Sequence, residues 1–287
     1  MTTLVNELRA FLERNPAAAL VKVESARGST PREQGAWMAV SPQSIFGTIG
    51  GGQLEYMAID KARQILWLPA GSAPEELVLD IPLGPEIGQC CGGRVELSVR
   101  VIDEAMTGQL LTNARAEAEH QPHVYIFGGG HVGHALAEAL GLLPIRVTVV
   151  ETRAAELDGL PESIETLLTA VPEASVRDAP SGSAFLVLTH DHALDFLIVA
   201  EALKRTDAAY VGMIGSKTKK ATFRSWYLNT ANGDQERFQR LVSPIGGDEV
   251  NDKRPAVIAA LASAEVLKAL AAFNATSIGT EAPQRRE

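Results

Sequence analysis

The sequence predicts an α/β protein in which an N-terminal α+β domain is followed by a Rossmann-like domain, a doubly wound parallel sheet. Three observations support this fold class. The first hundred or so residues contain short strand-like segments separated by glycine, proline and serine. Residues 123–153 then read as strand, glycine turn, helix and strand, as a βαβ unit requires. Two further buried strands, each followed by a helical segment, continue that pattern.

The chain divides into four predicted parts. Residues 1–103 form the α+β domain, and a polar, partly helical segment over 104–122 is predicted to link it to the next domain. The Rossmann-like domain takes residues 123–273, and the last residues, 274–287, are predicted to be disordered.

Helical periodicity predicts the two helices of the first domain. The first helix ends before Asn15 and Pro16, and its spaced apolar residues are Leu4, Leu8, Phe11 and Leu12. The second helix opens at the glycines near residue 50, and its inward residues are Leu54, Met57, Ala58, Ile65 and Leu66. The strand-like segments around these helices are AALVKVES, AWMAVS, SIFGTIG, ELVLDIPL and RVELSVRVI.

Composition argues against several classes of partner. The 287 residues carry a formal net charge of −9, which disfavours general affinity for nucleic acid or anionic membranes. Two cysteines cannot build a disulfide framework, and the N-terminus lacks the pattern of a signal peptide. The apolar stretch near the C-terminus contains Glu265 and Lys268, which favours a packed helix over a membrane span. We therefore expect a cytoplasmic protein.

The motif GGGHVG is the strongest indication of a ligand site in the second domain. Gly128 allows a tight turn, Gly130 lets a phosphate approach the backbone, and Gly133 lets helix and strand pack closely. The following strand ends at Glu151, where an acidic residue can accept hydrogen bonds from ribose hydroxyls. The alternative is a glycine loop that serves packing only.

Two further motifs follow predicted strands of the same sheet. His190, Asp191 and His192 lie in THDHALD, which suits ligand contact, part of a metal site, or capping of the next helix by Asp191. The turn GMIGSKTKK combines a glycine turn with a run of lysines, which suits either an anion site or a solvated helix face. The residues of that turn singled out as ligand contacts are Gly215, Ser216 and Lys217, with Lys219 and Lys220 beside them.

Two glycine-punctuated stretches of the first domain pair a flexible backbone with polar groups. Arg27, Ser29 and Thr30, followed by Arg32, can grip phosphate or carbonyl groups. Gly50, Gly51 and Gly52 are expected to expose backbone donors at the start of the next helix. Turn chemistry alone also accounts for these glycines.

The adjacent cysteines Cys90 and Cys91 are followed by Gly92 and Gly93. Neighbouring cysteines suit neither a structural zinc site nor an unstrained disulfide. The pattern leaves two interpretations. One is a thiol, in a loop open to a bulky or anionic group, that acts as a soft-metal ligand or a sulfur carrier. The other is a pair of small buried apolar groups.

Together these motifs resemble those of the XdhC/CoxI family of xanthine dehydrogenase accessory proteins. The resemblance rests on GQCCGGRVEL, ARGSTPREQGAWM, GTIGGGQLE, YIFGGGHVG, LTHDHALD, YVGMIGSKTKK and PIG, in family order. It implies a cytoplasmic, often dimeric maturation factor that binds the molybdenum cofactor and inserts it into apo xanthine dehydrogenase. It also implies a cysteine desulfurase partner that helps install the sulfido ligand.

By this resemblance, the family's double-cysteine motif corresponds to Cys90 and Cys91, and its histidine motif corresponds to residues 190–192. The family's phosphate-type loop corresponds to the glycines of GGGHVG. Two departures from the family pattern are visible, at residues 247–253 and at Arg153 after Glu151. No Ser/His/Asp or paired-carboxylate arrangement is evident, so we expect a carrier rather than a catalyst.

Two rival functions stay open at this point. The strand, glycine loop, helix and terminal acid also suit an oxidoreductase that binds NAD or NADP, or a carrier that binds a nucleotide besides its main cofactor. A scaffold that bridges a desulfurase and a dehydrogenase without holding cofactor is the other rival.

Overall fold

The computed structural model describes residues 3–69, 72–85 and 92–280. The chain forms two compact units that meet in the sequence between Glu119 and His120. This confirms the predicted fold class, an α+β unit followed by a Rossmann-like unit.

The first unit is built on a five-stranded antiparallel sheet of order β3-β2-β1-β5-β4. Its elements are α1 (Thr3–Arg14), β1 (Ala19–Arg27), β2 (Trp37–Val40), β3 (Ile45–Gly47), α2 (Gly52–Leu66), β4 (Leu77–Pro82), β5 (Arg94–Val101) and α3 (Glu104–Glu119).

Two apolar layers hold the first unit together. Helix α2 buries Leu54, Ala58, Ala62 and Ile65 against one face of the sheet. Because side chains alternate along a strand, every second residue of β1 faces this layer, and Val21 is one of them. The predicted inward face of α2 is thus confirmed in outline.

The second layer contains α1 and corrects two predictions. Leu4 is 42% exposed, and Val5 takes the buried position one residue later. The segment over 104–122, predicted to be a partly helical linker, is helical as α3, but α3 belongs to the first unit and buries Leu110 and Ala114 against α1. A helix that buries only a narrow stripe has a mostly polar sequence, and such a sequence resembles a linker.

The second unit is a six-stranded sheet of order β11-β10-β9-β6-β7-β8 in which every pairing is parallel. Its elements are β6 (His123–Phe127), α4 (His131–Gly141), β7 (Arg146–Glu151), β8 (Glu165–Leu168), α5 (Pro172–Asp178), β9 (Ala184–Val187), α6 (His192–Lys204), β10 (Tyr210–Met213), α7 (Lys217–Asn229), α8 (Gln235–Gln239), β11 (Leu241–Val242) and α9 (Pro255–Thr280).

This strand order is the one of dinucleotide-binding Rossmann folds, with the order reversing between β6 and β9. Helices α4 and α9 cover one face of the sheet, and α5 to α8 cover the other. Ligands of open α/β sheets bind beyond the carboxyl ends of the strands at such a switch point.

Helix α9 is long and apolar enough, over Pro255–Thr276, to cross a membrane by length and composition alone. In the structure it packs on α4 through buried residues such as Ala262 and Val266. A core helix passes the same test of length and composition, so this helix is weak evidence for a span. The helix continues to Thr280, into the segment predicted to be a disordered tail, of which residues 281–287 lie outside the described residues.

Candidate functional site

Three glycine-containing loops of the first unit meet at one place, here called the first-unit loop cluster (residues 27–32, 50–52 and 92–93). Strand β1 pairs antiparallel with β5, so Arg27 at the end of β1 lies opposite Arg94 at the start of β5. Gly93 approaches the carbonyl oxygens of Arg27 and Ser29 so closely that a Cβ there would overlap them. The structure thus brings together residues that the sequence singled out separately.

The second contact within this cluster joins Gly50 to the β1–β2 loop. A Cβ at Gly50 would overlap the side chain of Pro31. Arg27 and Ser29 are exposed and Thr30 is half-buried, so their polar groups are open to solvent or to a ligand.

The backbone donors of Gly50 and Gly51 are used inside the protein. Oε2 of Glu55 accepts hydrogen bonds from Thr48 Oγ1 at 2.5 Å, Ile49 N at 3.1 Å and Gly51 N at 3.2 Å. Gly50 N donates to Thr48 Oγ1 at 3.0 Å. The expectation that these glycines offer free donors is therefore wrong for Gly50 and Gly51. Glu55, in the first turn of α2, is not indicated by the sequence because two of its three partners are backbone N–H groups.

Cys90 and Cys91 lie outside the described residues, so their predicted roles stay predictions. The chain on both sides of residues 86–91 is fixed: Leu83 N donates to Gly93 O and Gly92 N donates to Leu83 O, each at 2.8 Å. Gly92 follows Cys91 directly, and Gly93 packs against Arg27 and Ser29. The cysteine pair is therefore one residue from the first-unit loop cluster along the chain.

Positive charge borders this cluster. Arg94 donates two hydrogen bonds to Asp80, both at 2.6 Å. These bonds are the main reason that the pKa of Asp80 lies below its ordinary value, with a smaller contribution from the charge of Arg27. Because Arg94 and Asp80 neutralise each other, Arg27 is the residue of this border that would attract an anionic group.

In the second unit, four loops reach the same edge because their strands are parallel. They follow β6, β9, β10 and β11, and are here called the second-unit edge. The glycine loop after β6 starts with Gly128, whose N–H donates to Val150 O at 3.0 Å. Gly133 lies so close to the carbonyl oxygen of Gly128 that no side chain fits between them. This matches the packing role predicted for Gly133.

Glu151 anchors the glycine loop from within. Its side chain is 3% exposed, and Oε2 accepts from Gly129 N at 2.9 Å. Oε1 accepts from Thr152 N at 2.8 Å, Thr152 Oγ1 at 3.1 Å and Arg153 N at 3.1 Å. Burial raises the pKa of Glu151, but these hydrogen bonds outweigh burial, so the pKa lies below the ordinary value of 4.5.

Replacing Glu151 with glutamine is expected to destabilise the second unit by about 2 kcal/mol at neutral pH, because donors would be left unpaired. Since the folded pKa of Glu151 is depressed, its stabilisation is complete above pH 4.5 and is lost as pH falls through the folded pKa. Urea unfolding of both proteins between about pH 6 and pH 3 should show the difference shrinking with acidification. A pH-independent difference would show that the charge of Glu151 contributes nothing.

A cavity of about 410 Å³ lies beside the first turns of α4. The short helical turn Ala154–Leu157 contributes Ala155 and Glu156 to its lining, and His134 Nε2 is 3.0 Å from Glu156 O. The residues that line the cavity are Gly129, Gly130, His131, His134, Ala135, Glu138, Ala155 and Glu156. Of these, only Gly130 was predicted as a ligand contact; His131 and His134 lie within or next to the glycine motif and were overlooked as side chains.

The predicted histidine motif lies at the second-unit edge but in an open position. His190, Asp191 and His192 are all exposed. Asp191 is the N-cap of α6 and accepts from Ala193 N at 2.8 Å, which is the capping role considered for it. Within residues 3–69, 72–85 and 92–280, no group of three or more His, Cys, Asp or Glu residues is arranged to hold a metal ion.

The lysines of the turn after β10 have separate partners. Ser216 caps α7 by accepting from Lys219 N at 3.2 Å, and Gly215 takes a φ of +152°. Lys217 is 86% exposed and pairs with Asp248 at 3.2 Å, whereas Lys220 donates to Ser243 O at 3.3 Å. Lys219 reaches a buried carboxylate, Asp195, instead of solvent. The run of lysines is therefore not one solvated face.

The loop after β11 is held by Glu265 of α9. Glu265 Oε2 accepts from Tyr210 Oη at 2.8 Å and from Gly246 N at 2.9 Å. Burial, together with the charge of Glu265, raises the pKa of Tyr210. Glu265 therefore fixes the PIG motif by bonds that the sequence did not predict.

Comparison with known proteins gives two family matches. Residues 11–72 match the model of the XdhC and CoxI family, and residues 124–266 match the model of the XdhC Rossmann domain. The matched ranges contain the loops at 27–32 and 50–52 and the whole second-unit edge.

Individual proteins show the same likeness. Uncharacterized protein YqeB of Escherichia coli K12 is 26% identical over 278 residues, which cover 92% of this chain and 46% of that protein. The chain thus spans about half the length of this relative. A crystal structure described as a xanthine dehydrogenase from Bacillus halodurans matches with a TM-score of 0.76 at 16% identity, over 95% of this chain and 96% of that one. At such low identity, this match shows the fold alone.

Proposed function

The chain belongs to the XdhC and CoxI family, and on that premise we propose that it is an accessory protein in the maturation of xanthine dehydrogenase. Its cargo is the molybdenum cofactor, which it holds, presents for sulfuration and inserts into the apoenzyme. The protein is a carrier, and its residues bind and orient the cofactor without turning over a substrate.

One observation carries this proposal: Gly93, two residues after Cys91, packs against Arg27 and Ser29 in the first-unit loop cluster. The cluster therefore brings arginine and hydroxyl donors to Gly93, which lies two residues after Cys91 and three after Cys90 in the sequence. A pterin cofactor with a phosphate and a sulfur-ligated metal needs both kinds of group. The donor set fits the cofactor.

The residues divide their roles by chemistry. Cys90 or Cys91 would contact the metal or the incoming sulfur, because thiolates are soft ligands. Arg27, Ser29 and Thr30 would bind anionic or carbonyl groups, and Gly92 and Gly93 would let them approach the backbone. When bound, the cofactor supplies the molybdenum centre that the target enzyme needs.

The second-unit edge is a separate candidate site for a phosphate. Gly130 is the N-cap of α4, at the end of the helix where backbone N–H groups can bind an anion. No atom lies within 4 Å of the position that a Cβ of residue 130 would take. His190, His192 and the turn at Gly215–Lys217 border the same edge. A nucleotide form of the cofactor, or a separate nucleotide, would bind here.

The proposal includes three kinds of partner and a location. Apo xanthine dehydrogenase receives the cofactor, a cysteine desulfurase delivers sulfur, and a second copy of the chain forms a homodimer. These steps take place in the cytoplasm, and the net charge of −9 favours neither nucleic acid nor anionic membrane as a partner.

The rival function, an NAD- or NADP-dependent oxidoreductase, is supported by the strand order of the second unit. Glu151 argues against it. Both carboxylate oxygens already accept hydrogen bonds from the protein, and the side chain is 3% exposed, so a ribose hydroxyl has no access to it. Titration of the purified protein with NAD and NADP tests this rival, and tight binding with substrate-dependent reduction would establish it.

Replacing both Cys90 and Cys91 with alanine is expected to lower the molybdenum and pterin retained per chain by about 10–100-fold, as the loss of groups at a metal site does. The measurement is metal analysis and pterin fluorescence after anaerobic purification. The single variants show which thiol matters, and Gln43→Ala, in the exposed turn between β2 and β3, is the control. Unchanged cofactor content and unchanged loading of xanthine dehydrogenase by the double variant would contradict the assignment.

A further inference from the structure

Asp195 and Lys219 form a buried ion pair between two loops of the second-unit edge. Asp195 lies in the first turn of α6, after β9, and its side chain is fully buried. Lys219 lies in the first turn of α7, after β10, and its side chain is 8% exposed. The pair therefore connects the ends of two neighbouring parallel strands.

Asp195 also fixes the loop that carries the histidine motif. Its Oδ1 accepts from Thr189 N at 2.9 Å and from Thr189 Oγ1 at 2.7 Å, while Oδ2 accepts from Lys219 Nζ. Thr189 Oγ1 in turn lies 2.9 Å from Asp191 O. Asp195 thus sets the path of the chain from Thr189 to Asp191.

Lys219 fixes the other loop. Its aliphatic stem lies over Gly215, where a Cβ would be 3.2 Å from the Cβ of the lysine. Its backbone N–H donates to Ser216 Oγ, the N-cap of α7. The conformation of the turn therefore depends on the place that Lys219 occupies.

Charge gives the pair a second consequence. Burying two charges is costly, and well-packed apolar residues often replace such a pair without loss of stability, so stability alone does not account for it. Lys219 cancels the charge of Asp195 at an edge where helices α4, α6 and α7 all begin. Without Lys219, an uncompensated carboxylate would repel an anion at this edge.

We propose that Lys219 is a positioning residue for the cofactor: held by Asp195, it keeps the Thr189–Asp191 loop and the Gly215–Ser216 turn in register and removes the charge that would repel a phosphate. The proposal rests on the cofactor-carrier function proposed above. It does not require Lys219 to touch the cofactor.

The experiment compares full-length variants purified anaerobically from a molybdate-supplied host. Lys219→Met removes the charge and keeps most of the side-chain length, Lys219→Arg keeps the charge, and Asp195→Asn/Lys219→Met removes both charges. Lys204→Met removes a lysine from a surface pair with Glu201 and is the matched control. Two readouts are taken: pterin per folded chain, and hydrogen exchange at the amide of Thr189.

Lys219→Met is expected to lose about tenfold or more of the bound pterin through repulsion by Asp195. Its Thr189 amide is expected to exchange about tenfold faster, because the loop is released. The double variant should recover pterin relative to Lys219→Met, and Lys219→Arg should retain most of it. A purely structural role would restore pterin and slow exchange at Thr189 together, so recovery of pterin while the Thr189 amide still exchanges fast identifies the charge effect.

The outcomes separate the two proposals. If the wild-type protein holds no pterin, the carrier function fails, and exchange at Thr189 alone decides whether Lys219 positions the loop. If folded Lys219→Met keeps wild-type pterin and wild-type exchange, the positioning role is wrong. If the double variant is no better than Lys219→Met, the charge part of the proposal is wrong.

Discussion

Replacing Asp195 with alanine is expected to lower the free energy of unfolding of the second unit by about 3–5 kcal/mol, the cost of leaving one charge of a buried pair without its partner. Lys219 would be left with its ammonium buried, and the N–H and hydroxyl of Thr189 would lose their acceptor. Urea unfolding followed by hydrogen exchange of second-unit peptides measures the change.

Asp191→Ala is the matched control for this prediction. Asp191 is an exposed carboxylate four residues earlier, and its side chain caps α6. Loss of such a cap costs about 1 kcal/mol. Equal effects of the two variants would show that the pair with Lys219 contributes no more than an ordinary helix cap.

Replacing Gly133 with alanine has the second largest expected effect, a loss of about 3 kcal/mol, at the upper end of the usual range for overpacking. A Cβ at Gly133 would overlap the carbonyl oxygen of Gly128, and a backbone atom cannot move aside as a flexible side chain can. The loop would have to shift, which would also strain the hydrogen bond from Gly129 N to Glu151.

Gly130→Ala tests whether the effect is steric. Gly130 has a φ of −73°, and no atom lies within 4 Å of the position of a Cβ. We expect Gly130→Ala to change the free energy of unfolding by about 1 kcal/mol or less. Alanine is a poorer N-cap than glycine, but it also restricts the unfolded chain, and this second effect offsets the first. Thermal and urea unfolding of the two variants give the comparison, and a Gly133→Ala protein as stable as Gly130→Ala would overturn the packing role of Gly133.

The parts of the fold that were predicted correctly depend on local patterns. The glycine loop at residues 128–133 joins a strand to a helix within a few residues, so residues adjacent in sequence determine its geometry. The grouping of the motifs at one edge follows from parallel pairing, because each motif comes directly after a strand.

The parts that were missed depend on contacts distant in sequence or on backbone partners. Lys219 is 24 residues from Asp195, and nothing local distinguishes it from Lys217, which is exposed. Glu151 was predicted to face a ribose, yet most of its partners are backbone N–H groups of its own unit, which no side-chain pattern indicates. Helix α3 was read as a linker because only Leu110 and Ala114 of its sixteen residues are buried.

The candidate site, too, was predicted where local patterns indicate it and missed where backbone partners decide it. The sequence singled out residues 27–30, 50–52 and 92–93 by their composition, and antiparallel pairing of β1 with β5 brings two of these stretches together. It did not indicate that Glu55 already binds the N–H of Gly51. The free groups of the cluster are consequently fewer than the glycines suggest.

The most direct test of the carrier function is to purify the wild-type protein anaerobically from a molybdate-supplied host and to measure molybdenum and oxidised pterin in the same sample. We predict both, in about equal amounts, with a loss of both in the variant that lacks Cys90 and Cys91. A protein that contains neither molybdenum nor pterin, and carries bound nucleotide instead, would contradict the cofactor-carrier function and favour the oxidoreductase.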